Sequence, residues 1–249
     1  MNILFDIGNT SIDWAIEEQG EFSKYGKMNH GAIPVHDGLD KQFHMENLQP
    51  EHILLANVGD SRIMASLTSW VEKYWQVELW QAQVLSEFNG LKNSYTDTRQ
   101  MGVDRWLAMV AAWDSHKSAL CIVSCGTALT IDLIDESGQH LGGYIMPGIN
   151  LMQQALVQNT EQINSPISNT ISIDLAKDTS SAINHGACLA AIATIDRAVA
   201  MSQDKYKLKA TCIITGGAAS LIKPALNQTF LYEPDIVLRG LSLSHKAMQ

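Results

Sequence analysis

Three short segments carry residue types suited to phosphate chemistry. Asp6-Ile7-Gly8-Asn9-Thr10 follows one apolar run, and Gly126-Thr127-Ala128 follows another. A glycine at such a turn lets the backbone approach a ligand closely or take a positive φ. Main-chain amides, with the Asn9, Thr10 and Thr127 side chains, can donate to phosphate oxygens without a basic residue. Asp6 adds a hard oxygen ligand for magnesium on those phosphates. The third segment, Gly102-Val103-Asp104-Arg105, opens a helix. Asp104 has the chemistry of a general base for a substrate hydroxyl, and Arg105 that of a clamp for a carboxylate or phosphate. Each segment also has an ordinary reading: a hairpin turn for the first two, a helix cap with a solvated charge for the third.

The first two segments belong to a repeated unit. Residues 3–20 and 121–138 both run from an apolar strand through a glycine turn into a second apolar strand, and Gly8/Gly126 and Gly20/Gly138 align at one common offset. An isolated hairpin has no reason to recur in this way. Two such turns facing each other across a cleft would hold a polyphosphate from both sides. Ser124 takes the place of Asp6 in the second copy. No G-x-x-x-x-G-K-[ST] stretch is present, which excludes a P-loop enzyme.

The surrounding pattern predicts the elements that must carry these turns. Strands are expected at 2–7, 11–17 and about 21–27, with a short helix within the polar 28–50 segment and strands at 53–58 and 77–82. A helix over 61–75 presents Ile63, Leu67, Trp70, Val71 and Tyr74 on one stripe. Residues 86–101 are polar and turn-rich and read as a functional loop, with Tyr95 able to close over a ligand. A helix over 102–116 and a second meander at 119–125, 129–135 and about 140–145 follow. Gly142–Gly148 forms a corner into a helix at about 149–158, and 160–178 is polar. An Ala-rich helix covers 179–202. The strand within 211–219 ends in Gly216-Gly217, a turn able to lie flat against a base or ribose, or equally one needing glycine to enter the next helix. The last stretch, from Asp235, reads as an apolar strand or helix. Alternating strands and helices with two meanders give a two-lobed α/β protein, divided at 1–117 and 118–249.

Composition bounds the function classes. The 249 residues carry a net charge of −9, which speaks against a nucleic-acid surface. No apolar run reaches the roughly 18–20 residues of a membrane span, and the first residues lack a basic leader region. Cys121, Cys125, Cys188 and Cys212 lie in apolar runs or beside a turn and read as buried free thiols of a reducing cytoplasm. The eight histidines show no metal-ligand spacing and read as surface or helix-end residues.

Together these segments resemble the type III pantothenate kinases, over nearly the whole chain. The resemblance rests on Asp6-x-Gly-Asn-Thr10, Gly102-x-Asp-Arg105, Gly126-Thr127-Ala128, Gly142-Gly143-x-Ile145-x-Pro147-Gly148, Thr215-Gly216-Gly217 and Leu238-Arg239-Gly240-Leu241 in that order. It implies a duplicated, ribonuclease-H-like fold of the acetate-and-sugar-kinase/Hsp70/actin type, with mixed sheets flanked by helices. It implies ATP-dependent phosphorylation of pantothenate to 4'-phosphopantothenate, the first step of coenzyme A biosynthesis. By position, Asp104 would be the proton acceptor. Tyr95, Gly102, Val103, Asp104, Arg105 and Thr179 would contact pantothenate. Asp6, Ile7, Gly8, Asn9, Thr10, Ser11, Ile12, Asp13 and Thr127 would hold ATP, with Asp6 meeting magnesium through water. The resemblance also implies a homodimer with the substrate pocket at its interface, so that Thr179 would serve the partner protomer's substrate.

Three positions depart from the family pattern. Ser124 stands where relatives usually carry an Asp that binds an activating potassium or ammonium ion; its hydroxyl offers an oxygen but no charge. Ser11 and Asp13 stand where many relatives carry basic residues, and Ala218 where they often have Asp. Two other readings stay open at this stage: a sugar or carboxylate kinase of the same superfamily, which fold alone allows, and a catalytically weakened relative with a regulatory or transcriptional accessory role.

Overall fold

The computed structural model describes residues 1–31, 33–43, 48–158 and 170–248. The 160–169 part of the expected polar stretch lies outside these residues. In chain order the elements are β1 (Asn2–Ile7), β2 (Ser11–Glu18), β3 (Glu21–Asn29), α1 (Val35–Phe43), β4 (His52–Asn57), α2 (Ser61–Tyr74), β5 (Leu79–Gln81), β6 (Glu87–Phe88), β7 (Leu91–Lys92) and α3 (Val103–His116). They continue with β8 (Leu120–Cys125), β9 (Ala128–Ile134), β10 (His140–Pro147), α4 (Ile149–Gln158), α5 (Thr179–Asp204), β11 (Thr211–Thr215), α6 (Ala219–Ile222), β12 (Leu231–Tyr232) and α7 (Ile236–Lys246). Among the described residues no helix is long and apolar enough to cross a membrane.

The repeat seen in the sequence is a repeat of sheet topology. One five-stranded sheet has the order β3-β2-β1-β4-β5, and another the order β10-β9-β8-β11-β12. In each, an antiparallel meander is extended by two parallel strands. Parallel neighbours need crossovers, which helices supply. The central strands β1 and β4 are apolar almost without interruption because both of their faces are buried.

Two compact units result. The first comprises Met1–Leu85, Asp97–Ala111 and Ile236–Gln249; the second comprises Ser86–Thr96 and Ala112–Asp235. The sequence reading placed a single break at 117/118, whereas these units interleave along the chain. The last segment joins the first unit because α7 is a helix that packs on β1 and β4. Of the two forms expected for it, the helix is the one adopted.

In the first unit the core is aromatic. Phe43 sits edge-on to Phe5, Trp14 and Trp75, and the Trp70 indole donates to Asp40 at 2.7 Å, tying α2 to α1. Gly26 pairs with Trp14 across β2 and β3, and a Cβ there would fall inside the indole ring. The glycine is what lets this ring lie flat across its neighbouring strand. Glu17 anchors α7. Burial works against its charge, but Lys246 and Ser242 donate to one carboxylate oxygen and Asn2 to the other, and together they hold its pKa below the usual value. Gly240 then brings α7 against α3: a Cβ at that position would overlap the Leu107 carbonyl.

In the second unit, α4 and α5 pack together beside the sheet, and α5 turns Ala187, Cys188, Ala191, Ile195, Ala198 and Val199 inward. All four cysteines are free and buried, as the sequence implied. The 86–96 stretch contains the small β6–β7 hairpin rather than plain loop. It is docked on the turn that joins β9 to β10: Lys92 N donates to Gly138 O, and the Trp113 indole and Lys117 both donate to Asn89 O. Strand β5 is shorter than the expected 77–82 and ends at Gln81.

Candidate active site

In the first unit, the turn after β1 is closed by Gly8 N donating to Ser11 O at 2.9 Å. His30 Nε2 lies 3.0 Å from Gly8 O on its outer side. Gly59 packs so closely that a Cβ there would stand 2.9 Å from the same carbonyl. Asn9 and Thr10 are exposed at the tip, whereas the Ile7 and Ile12 side chains are buried. Of the nine residues expected to hold ATP, Ile7 and Ile12 therefore offer only main-chain groups.

Strand pairing builds a charged row beside this turn. Asp6 lies opposite Asp13, and Asp13 lies opposite Lys27. Lys27 Nζ donates to both Asp13 oxygens, at 3.0 and 2.9 Å. The basic residues missing at positions 11 and 13 thus have a counterpart one strand further out. Lys27 and His30 were not singled out from the sequence. Counting back from the β2–β3 turn would pair Asp13 with Gly26; the register shift between Ile16 and Glu17 puts Lys27 there instead, and nothing local marks His30.

Asp6 pays for its position in protonation. Its pKa is pushed up to about 8, first by burial, then by the neighbouring Asp104 and Asp13 carboxylates, with Lys27 opposing. A carboxyl in this setting is ready to accept a cation, which would release its proton. The sign of the pH effect follows from the shift. Between the ordinary Asp value of 3.8 and about 8, the unfolded chain has lost this proton and the folded chain keeps it, so stability falls as pH rises through that window. We expect the Tm of the protein without divalent ions to drop from about pH 5 to pH 8, and Asp6→Asn to flatten the drop. A wild-type profile no steeper than the variant's, measured by differential scanning fluorimetry, contradicts the assignment.

Gly102 to Arg105 also lie in the first unit, at the start of α3. Asp104 occupies the first helical turn, where the helix dipole favours a negative charge. A Cβ on Gly102 would stand 2.5 Å from Asp104 Oδ1, so the glycine leaves the carboxylate its place. Asp104 is close enough to Asp6 to raise its pKa. Arg105 is buried at 5% exposure, and Val103 is buried beside it.

In the second unit, the turn after β8 is one residue tighter. Gly126 N donates to Ala128 O at 3.0 Å, where the first turn closes from Gly8 to Ser11. Thr127 is exposed at its tip. Gly148 N donates to Thr127 O at 2.8 Å, and a Cβ on Gly148 would overlap Gly126 O, so the Pro147-Gly148 corner buttresses the turn. Instead of a charged row there is a row of hydroxyls: Ser124 pairs with Thr215 on β11 and with Thr130 on β9. The two glycines after β11 differ in role. Gly216 has φ +93° and packs against the Cys125 backbone, so it is a structural glycine. Nothing stands within 4 Å of a Cβ on Gly217, which leaves that face open to a ligand. A cavity of about 510 Å³ follows, lined by Ser220, Lys223, Phe230 and Tyr232 among others.

Tyr95 and Thr179 are the remaining expected residues, both in the second unit. Tyr95 is half-buried. Thr179 is exposed at the first position of α5, where Asp178 caps the helix by accepting from Ser181 N at 2.9 Å. Among the described residues, no group of three or more His, Cys, Asp or Glu side chains could hold a metal unaided. That fits magnesium, which is usually bound through one or two carboxylates with substrate phosphates completing its shell. Asp6, a hard oxygen donor that burial leaves short of positive charge, suits that role.

The chain matches the family model for type III pantothenate kinase over residues 2–201. A type III pantothenate kinase of Nitrosococcus oceani is 36% identical over 247 residues, covering 97% of this chain and 92% of the relative. One of Nitrosospira multiformis is 30% identical, covering 95% and 87%. Among solved structures, a Sinorhizobium meliloti protein assigned as a 2-dehydro-3-deoxygalactonokinase shares the fold, with a TM-score of 0.61 at 13% identity, covering 100% of this chain and 99% of that one. With the duplicated sheets and the turn motifs in place, these matches show that the chain belongs to the type III pantothenate kinase family.

Proposed function

We propose that this chain transfers the γ-phosphoryl group of ATP to the primary hydroxyl of pantothenate, giving 4'-phosphopantothenate. The observation that carries this reading is Asp104, held in the first turn of α3 with its charge felt at Asp6. Phosphoryl transfer needs in-line positioning and charge stabilisation more than covalent chemistry. Asp104 accepts the hydroxyl proton late, when the alcohol has become acidic. Arg105 clamps the pantothenate carboxylate, with Tyr95, Gly102, Val103 and Thr179 completing its contacts. Asn9, Thr10 and the main chain from Asp6 to Asp13 hold ATP phosphates, as does Thr127. Asp6 meets magnesium through water; the ion, when bound with ATP, neutralises developing phosphate charge. The open face of Gly217 and the cavity lined by Ser220, Lys223, Phe230 and Tyr232 suit the nucleoside.

The homodimer expected from the family is supported by exposed apolar residues of the second unit. Ile145, Leu151, Leu156 and Leu189 are each 40% exposed or more. Leu156 lines a shallow apolar cavity of about 230 Å³ against Ile183 and Gly186. In such a dimer Thr179 would serve the partner's substrate, as the family resemblance implies. The buried free thiols suit the cytoplasm. A purely regulatory role is not favoured, because Asp6, Asp104, Arg105 and Thr127 are all retained.

The reading is tested by following ADP release from purified protein with ATP, magnesium and pantothenate, with and without potassium. Absence of turnover in both conditions overturns it. The neutral row of Ser124, Thr130 and Thr215 offers oxygens but no charge to a monovalent cation. We expect weaker potassium activation than in relatives with Asp at this position, and stronger activation in Ser124→Asp. Strong potassium activation of the unsubstituted protein contradicts this.

A further inference from the structure

His140 is one of the most deeply buried polar residues of the second unit, at 1% exposure, contrary to the surface role read from the sequence. The register shift between His140 and Gly142 at the start of β10 marks an irregularity there. Such irregularities re-aim side chains. His140 Nε2 lies 3.0 Å from Asp132 Oδ1, a carboxylate only 2% exposed. His140 Nδ1 lies 2.9 Å from Ser94 Oγ. An ionised Asp132 can only accept, so Nε2 carries the hydrogen it donates. In the neutral ring Nδ1 then accepts from the Ser94 hydroxyl. The next residue, Tyr95, stacks on the imidazole with 6.2 Å between ring centres and 20° between planes.

The series Ser–His–Asp invites a comparison with hydrolytic triads. The environment argues against it. Acyl transfer needs donors at the developing oxyanion, commonly including a main-chain N–H next to the nucleophile. Here the N–H following Ser94, that of Tyr95, already donates to Asn93 Oδ1 at 2.9 Å. What the arrangement does is fix a short segment to the sheet. The buried carboxylate needs its partner, the imidazole is orientated by that bond, and both the Ser94 hydroxyl and the Tyr95 ring take their places from the imidazole. Lys92, bonded to Gly138 O, pins the same segment two residues earlier.

We propose that His140 is a positioning residue for pantothenate binding, setting the place and plane of the Tyr95 ring through the Asp132–His140–Ser94 chain. This rests on the reading that Tyr95 contacts pantothenate. Loss of the imidazole releases the ring without touching the phosphate turns or Asp104, so the cost falls on substrate affinity and not on turnover.

Steady-state kinetics on the full-length protein tests this. His140→Gln is expected to raise the KM for pantothenate about 5- to 10-fold, the equivalent of one lost hydrogen bond, with kcat and the KM for ATP within about twofold. Ser94→Ala, at an exposed position, is expected to raise the same KM by roughly threefold and serves if the His140 variant folds poorly. In a Tyr95→Ala background, either substitution is expected to lose its effect, because the ring it positions is gone. An unchanged pantothenate KM in both single variants overturns the inference while leaving the kinase reading intact, as does a uniform fall in kcat and both affinities. A penalty that persists without the Tyr95 ring also overturns it. Lack of wild-type turnover removes the kinase reading and this inference together.

Discussion

Asp104→Asn is expected to lower kcat by ~10²-fold or more while leaving the circular dichroism spectrum of the protein unchanged. The substitution keeps the size and shape of the side chain, so Gly102 still accommodates it and the first turn of α3 still forms. What is lost is the proposed proton acceptor and one negative charge. The loss of charge has a second readout. Asp104 is the largest charged contributor to the raised pKa of Asp6, so the variant also shows a shallower fall of Tm between about pH 5 and pH 8. A kcat within about threefold of wild type would falsify the assignment of Asp104, whatever happens to KM.

Gly240→Ala is expected to destabilise the protein by about 2 kcal/mol. Two effects compete. Alanine favours a helix interior over glycine by up to about 1 kcal/mol. Against that, the new methyl would overlap the Leu107 carbonyl, with Leu107 Cα also 2.9 Å away. Overpacking costs about 1–3 kcal/mol when side chains can yield, and the obstacle here is backbone, which places the cost at the upper end. The clash wins, and a fall in Tm of roughly 4–8 °C follows for a chain of this size. Because α3 begins with Gly102 to Arg105, moving it off α7 also lowers kcat/KM. Denaturant titration and pantothenate kinetics on the same sample check both. A variant as stable as wild type would show that the two helices separate at no cost.

Much of this architecture was legible because it is written in local signals. The repeated glycine turns are spaced as two copies of one meander, and the sheets have the same strand order. The apolar runs feeding the turns are continuous because their strands are central in each sheet. What stayed hidden depends on partners distant in the chain. The last segment has apolar residues compatible with either period, and only packing on β1 and β4 makes it a helix. Lys27 became part of the site through strand register, which a run of eight or nine residues does not declare on its own. His140 looked like any polar residue at a strand start, since its burial depends on Asp132 and Ser94. The second turn aligns with the first at its glycine, but it is one residue tighter, so Thr130 and not Ile131 faces Ser124.

The interleaving of the two units bears on how the chain assembles as it is made. The first unit begins at Met1 yet lacks α7, and with it the Ser242 and Lys246 donors to Glu17, until residues 236–249 are added. The second unit has all its residues once Asp235 has been synthesised. Domains generally fold in the order in which they emerge, but here the amino-terminal sheet must wait for the carboxyl-terminal helix. The helix start that carries Asp104 is packed against that last helix through Gly240. Order of translation and order of completion therefore run in opposite directions, and a nascent chain that lacks α7 holds the Asp6 turn before the helix start with Asp104 is secured.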